Sequence, residues 1–330
     1  MAQERLPFWR NVRQVFEGAL CRAAFWVCPR LPYSWLVFMG RAAGWCAHAF
    51  ASRERKVALA NLEMALGNEC TDEELRRIAR RSFQSFGRTA METFAAGRLA
   101  AEGLEHRFEF APGSLELLKE LTSRKRGLIA LTFHYGNWEW LSLAWAMAGF
   151  PSTVVAQPIK NPRVEALFHA NRVQAGHRLL HRRHAARHLY KSLKRGEIIG
   201  LMVDLNSSVE EGGAFFDFFG LPAMTTQIVG LLALRAGSPI VCSVSYPQED
   251  GRYRIEIGPE ITCDPAAPEE AEMNAVTRRW LAHCEEVIRR RPEYWMWMYK
   301  RWKTRPTAEA GRFPAYSFYD PNRPAKVENE

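Results

Sequence analysis

Four short runs of apolar or β-branched residues, at 127–133, 152–156, 198–203 and 239–244, constrain the fold of this chain most. Stretches with helical spacing lie between them, at 138–148, 163–194 and 226–236. Strands that alternate with helices pack as a mostly parallel sheet covered on both faces. Residues 253–257 alternate polar with apolar, as a strand near a sheet edge does, and 269–291 form a helix closed by Pro292. The fold class is therefore α/β: a mostly parallel central sheet flanked by helices.

The region before the first run reads differently. Residues 53–98 are helical, with Thr71-Asp-Glu-Glu74 as a capping box and one apolar face through Leu75, Ile78, Phe83, Phe86 and Phe94. Residues 16–51 are rich in Trp, Phe and Leu but are interrupted by Arg22, Pro29, Arg30, Pro32 and Arg41. No uncharged stretch there has the roughly 18 residues of a membrane span. An interfacial helical hairpin fits better, and two buried helices are the alternative. No signal peptide is evident. The expected division is a membrane-associated helical segment at 1–52, an α/β domain at 53–306 and an irregular tail at 307–330.

Charge is concentrated. The net charge is +9. Residues 159–195 carry ten Lys or Arg against Glu165 alone, so that segment holds the whole excess. Such a field suits an anionic partner, and a solvated helix face is the plain alternative. His169, His177, His181, His184 and His188 share the segment, but with little acid and no cysteine near them no metal site is expected.

Chemistry concentrates where the first run stops, in Phe133-His-Tyr-Gly-Asn-Trp-Glu-Trp140. Active sites of parallel sheets lie at the carboxyl ends of strands, which is where His134 falls. Gly136 permits a tight turn, Asn137 is an N-cap for the next helix, and Glu139 lies in its first turn. A Glu139 carboxylate folded back onto the imidazole fixes the tautomer and leaves the other nitrogen as a general base. Capping of the turn is the alternative. No nucleophile elbow, phosphate loop or dinucleotide fingerprint is present.

This stretch resembles the His-x-x-x-x-Asp/Glu signature of glycerolipid acyltransferases, in the Gly-Asn-Trp-Glu form of the lipid A late acyltransferases. Further blocks are similar, in order over residues 55–306: Ala60-Asn-Leu-Glu63, Asn161-Pro-Arg163, Asn171-Arg-Val-Gln-Ala-Gly176, Val203-Asp-Leu-Asn206, Phe215–Ala223 with Thr225, and Tyr294–Pro306. Asp204-Leu-Asn206 departs from the family pattern in lacking the glutamine that often follows the aspartate.

The resemblance implies acyl transfer from an acyl-carrier protein to a hydroxyl of a phosphorylated glycolipid, lipid A or its precursor, without a cofactor. It implies a membrane surface as partner, at the cytoplasmic face of a bacterial inner membrane. His134 would be the base and Glu139 its orienting carboxylate. Arg172 would stabilise the oxyanion or bind a phosphate, with Asp204 holding that arginine. Lys300, Arg301, Lys303 and Arg305 would face lipid phosphates. Another glycolipid or an amino-acid lipid as acceptor is the first alternative; a non-catalytic protein on anionic membranes is the second. A nucleic-acid partner is not expected, since it leaves the His134–Glu139 turn without a purpose.

Overall fold

A computed structural model describes residues 8–101, 103–156, 159–174, 178–181, 185–308 and 311–319. Its centre is a seven-stranded sheet. In chain order the strands are β1 (Phe108–Phe110), β2 (Leu128–Thr132), β3 (Ser152–Ala156), β4 (Arg178–His181), β5 (Ile198–Met202), β8 (Ile240–Pro247) and β9 (Tyr253–Ile257). Their spatial order is β1-β9-β8-β2-β5-β3-β4. Every neighbouring pair is parallel except β8–β9. The central strands are buried on both faces, so they appear in the sequence as unbroken apolar runs. β9 alternates in burial, in keeping with its place one strand from the edge.

One face carries Leu128, Ala130, Ile198 and Val241. It packs against Leu118 and Leu121 of α5 (Ser114–Ser123) and against Leu141, Ala144 and Trp145 of α6 (Trp138–Met147). The other carries Ile129, Leu131, Ile199, Leu201 and Ile240. It packs against α8 (Ala185–Lys194), α9 (Ile228–Ala236) and α10 (Glu269–Arg290), through residues such as Leu189, Val229 and Trp280. A hairpin of β6 (Gly213–Phe218) and β7 (Leu221–Thr226) turns at Phe219 and Gly220, both left-handed (φ 57° and 72°), as a two-residue turn requires.

The helical part comprises α1 (Phe8–Val27), α2 (Tyr33–Phe50), α3 (Ser52–Leu66) and α4 (Asp72–Ala101). The capping box at the start of α4 is formed: Thr71 N–H donates to Glu74 Oε2 at 2.9 Å, and Glu74 N–H donates to Thr71 Oγ1 at 3.4 Å. α2 crosses α4 with the backbones in contact. A Cβ at Gly40 would stand 2.6 Å from Arg88 Cα, and one at Gly44 2.2 Å from the Phe83 carbonyl oxygen. Beyond Leu36, Gly40 and Gly44, α2 buries little. Phe16, Leu20, Trp26, Trp35, Phe38, Trp45 and Phe50 of α1 and α2 stand exposed, and most exposed large apolar side chains among the described residues lie there.

One expectation is corrected. Residues 163–194 are not one helix. α7 (Pro162–Gln174) is followed by β4, whose Arg178-Leu-Leu-His181 pairs in parallel with β3, and then by α8. Four residues are too few to show a strand period beside two helical patterns. The tail is irregular but not loose where described, since Phe318 N–H donates to the Lys303 carbonyl and accepts Arg305 N–H in return (2.9 and 3.0 Å).

Candidate active site

β2 and β5 are neighbours, and their register brings Thr132 opposite Met202. Two residues past each strand end, the same register sets His134 opposite Asp204. His134 Nδ1 lies 2.9 Å from Asp204 Oδ1, and His134 N–H donates to Asp204 Oδ2 at 3.0 Å. Trp295 Nε1–H donates to the same Oδ2 at 3.0 Å. Asp204 is buried, which opposes its ionisation. The facing His134 ring, the hydrogen bonds from His134 and the Trp295 indole outweigh this and hold the carboxyl below its ordinary value. Nδ1 is thereby committed as donor to Asp204. Nε2 is the ring nitrogen left for a substrate.

The sequence reading put Glu139 on the imidazole and Asp204 on Arg172. The structure sets the Asp204 carboxylate on Nδ1, while Glu139, in the first turn of α6, lines the cavity beside His134. Arg172 lies in α7, with its side chain outside the described residues. His177, Arg182, Arg183 and His184 lie outside them altogether, and the His181 side chain does as well.

The turn that carries His134 is held from three sides. Gly136 has φ +55°, and a Cβ there would stand 1.8 Å from the Ser245 carbonyl oxygen, so no other residue fits. Gly136 N–H donates to Tyr294 O at 2.9 Å, and Met296 N–H donates to His134 O at 3.1 Å. Asn137 is the N-cap of α6, accepting Trp140 N–H at 2.9 Å. Its Nδ2 donates to Glu92 Oε2 at 2.8 Å.

Glu92 is absent from the sequence reading. Its fully buried carboxylate also accepts from Tyr253 OH (2.5 Å), Tyr33 OH (2.8 Å) and Arg88 Nε (2.8 Å). α2, α4, β9 and the His134 turn thus meet at one carboxylate. Burial first, and the negative charge of Glu92 second, push the Tyr253 phenol well up. The only signal for this in the sequence is the i, i+4 spacing of Arg88 and Glu92 on a helix.

The distant blocks also converge. Asn61 Nδ2 donates to the carbonyls of Trp297 and Tyr299, both at 2.8 Å, which ties α3 to the Trp-Met-Trp-Met run. Both tryptophans of that run, Trp295 and Trp297, are buried in the core, as is Trp302 beyond it. Arg301, expected to face lipid phosphate, is fully buried instead. It donates to Met224 O (2.7 Å) and Thr225 Oγ1 (2.6 Å) on β7 and lies over the Phe218 ring. Burial brings its guanidinium down to about 10, so it remains charged near neutral pH. Lys303 is exposed, and Lys300 and Arg305 are half-buried. Lys300 and Lys303 lie over the rings of Tyr316 and Phe318.

A cavity of about 1170 Å³ opens at His134. Its lining comes from both faces of the sheet: Ala130, Val154, Gly200 and Trp145 on the α6 side, and Ala185, Leu189, Val203 and Ile228 on the α8 side. Small side chains in the middle strands leave this space; a Cβ at Gly200 would meet Val154 at 3.3 Å. Thr132 Oγ1 and Asn206 Oδ1, from residues in the lining, are buried without a hydrogen-bond partner among the described residues. The cavity is mostly apolar, with a few polar groups beside His134, as ligand pockets commonly are.

The family model for bacterial lipid A biosynthesis acyltransferase matches residues 10–304. The chain belongs to that family. As a member of that family it is an acyltransferase. It is 27% identical over 293 residues to the lipid A biosynthesis lauroyltransferase of Escherichia coli (strain K12), covering 87% of this chain and 92% of that protein. It is 26% identical over 294 residues to the lipid A biosynthesis palmitoleoyltransferase of the same organism, covering 87% and 91%. A lipid A biosynthesis acyltransferase of Haemophilus influenzae (strain ATCC 51907 / DSM 11121 / KW20 / Rd) is 25% identical over 306 residues, 91% of each chain.

Proposed function

We propose that this acyltransferase moves a fatty acyl chain from an acyl-carrier-protein thioester to a hydroxyl of lipid A or a lipid A precursor, at the cytoplasmic face of a bacterial inner membrane. The observation that carries the reading is His134 at the mouth of an apolar cavity with Nδ1 bound to buried Asp204. The names of the relatives support lipid A as acceptor.

In this mechanism Nε2 takes the proton of the acceptor hydroxyl as its oxygen attacks the thioester carbonyl. Asp204 holds the tautomer and stabilises the imidazolium. The tetrahedral intermediate collapses with cleavage of the C–S bond, and the imidazolium returns its proton to the departing thiolate. Glu139 adds negative charge from the cavity side while the proton is on His134. Arg172 serves the oxyanion or an acceptor phosphate. Lys303, Lys300 and Arg305 are the C-terminal cations left for lipid phosphates, Arg301 being structural.

The exposed aromatic face of α1 and α2 supports contact with a bilayer, where Trp and Arg favour the interface. No helix among the described residues is long and apolar enough to cross a membrane. The reading is tested by incubating the enzyme with an acyl-carrier-protein thioester and a lipid A precursor and weighing the glycolipid by mass spectrometry. Gain of one acyl chain supports it; an unchanged mass with active donor and acceptor overturns it.

A further inference from the structure

α8 presents Arg187, Lys191 and Lys194 at exposed positions four and three residues apart, which sets them in one stripe along the helix. Its opposite side, Ala185, Leu189, Ser192 and Leu193, is buried. None of the three cations has an ion-pair partner among the described residues, whereas Arg195, the next residue, is neutralised by Glu197 at 2.6 Å. Unpaired cations of one sign in a row make a field that any anionic surface would feel.

Two features say which surface. First, the start of α8 is a wall of the catalytic cavity: Ala185, Ala186 and Leu189 line the space that holds His134. An anionic partner seated on α8 is therefore beside the entrance to the site. Second, the exposed large apolar side chains gather on α1 and α2, whereas α8 has none among the described residues. A stripe of cations without an apolar anchor beside it lacks what holds a protein in a bilayer interface. A lipid headgroup is thus the poorer occupant, and an acidic soluble protein the better one.

We infer that the exposed face of α8 is the docking surface for the acidic carrier that delivers the acyl thioester. The donor then enters from the α8 side of the cavity and the embedded acceptor from the α6 side, where Trp138 lies against both His134 and the exposed Phe86. This assignment rests on the carrier-protein donor proposed above.

The test uses the full chain with Arg187→Glu, Lys191→Glu and Lys194→Glu combined, and a second version with glutamine at the three positions. Kinetics are measured with an acyl-carrier-protein donor and with an acyl-pantetheine thioester that lacks the protein. Acceptor KM and binding to phosphatidylglycerol vesicles are measured alongside. For the glutamate version we expect kcat/KM to fall on the order of tenfold more for the carrier donor than for the small thioester. The glutamine version should fall between it and wild type, and salt should raise the wild-type carrier KM more than that of either variant. Acceptor KM and vesicle binding should hold. An equal loss on both donors overturns the assignment, as does an unchanged carrier KM. A raised acceptor KM or lost vesicle binding assigns the stripe to lipid phosphate instead. Unmodified enzyme that turns over the small thioester but not the carrier donor removes the donor reading, and this surface with it; that result is separate because it needs no variant.

Discussion

His134 and Asp204 are 70 residues apart in the chain, the same offset as every paired residue of β2 and β5, and their side chains meet at 2.9 Å. The pair is thus an extension of the sheet register past the two strand ends. A strand ladder is a stiff support, and a catalytic group built on one keeps its geometry without help from a mobile loop.

His134→Ala should lower kcat by about 10²–10⁴-fold, the usual contribution of a general base. Asp204→Asn should lose a comparable factor, because an amide neither fixes the Nδ1–H tautomer nor stabilises the imidazolium. Asp204→Asn should also cost more than Glu139→Gln if Asp204 is the orienting carboxylate. Single-turnover rates of the purified variants, with circular dichroism as a check on folding, decide this. A Glu139→Gln loss larger than that of Asp204→Asn would return the orienting role to Glu139.

Asp204 also links stability to pH. Its carboxyl is lower in the folded chain than in the unfolded one, so between the two values the unfolded chain binds more protons and stability rises with pH. The contribution is present above the unfolded value, about 3.9, and is lost as pH falls through the folded value. Thermal or urea unfolding of wild type and Asp204→Asn should differ at pH 6 and converge in the acid range below about pH 4. A gap that stays constant with pH would mean that Asp204 stabilises by shape rather than by charge.

Glu92 joins the helical part to the His134 turn through Asn137, and removing one member of a buried charged pair leaves the other unsatisfied. Glu92→Ala should cost about 3–5 kcal/mol of stability. Glu92→Gln keeps the shape but exchanges one acceptor for a donor that faces other donors. In folded Glu92→Gln protein we expect kcat to fall with little change in the acceptor KM, since the N-cap of α6 and the His134 turn shift while the cavity walls remain. Urea titration and steady-state kinetics on the same preparation check both parts. Unaltered kcat would leave Glu92 as scaffold only.

How much of this was legible depends on where the information lies. The alternation of runs and helices was enough for the α/β class, and His134 was legible because a histidine at the end of a buried run has no packing reason to be there. Asp204 was legible as a residue, but its partner was not: which strand lies beside β2 is a property of sheet order, and periodicity within one strand says nothing of its neighbour. Arg301 was misplaced because it was read together with Lys300, Lys303 and Arg305 as one group of cations facing lipid phosphates. Its burial depends on a β6–β7 hairpin more than 70 residues earlier in the chain, which supplies Met224 O and Thr225 Oγ1. Gly40 and Gly44 stand in the open as a close-packing spacing, yet only the approach of α4 gives them a use.

The aromatic face of α1 and α2 leads to the last expectation. Phe16, Trp26 and Phe38 are 61–69% exposed, so replacing them with serine removes few internal contacts. Removing the whole segment is a poorer test, because Leu36 is buried and Tyr33 donates to Glu92, so the His134 turn would suffer with it. In the triple variant Phe16→Ser, Trp26→Ser, Phe38→Ser, each lost ring forfeits roughly 1.5–3 kcal/mol of apolar transfer at most, since burial in the interface is partial. Arg22, Arg30 and Arg41 still contribute about 1 kcal/mol each toward anionic headgroups. Binding to phosphatidylglycerol vesicles should therefore weaken by at least tenfold and become more sensitive to salt, as the remaining attraction is ionic. Activity on acceptor in bilayers should fall with it, while activity on detergent-dispersed acceptor stays near wild type. Flotation with vesicles reads the first effect and the ratio of the two activities reads the second. A variant that floats as wild type does would move the membrane contact off this face, and a variant that loses both activities equally would show that these rings support the fold.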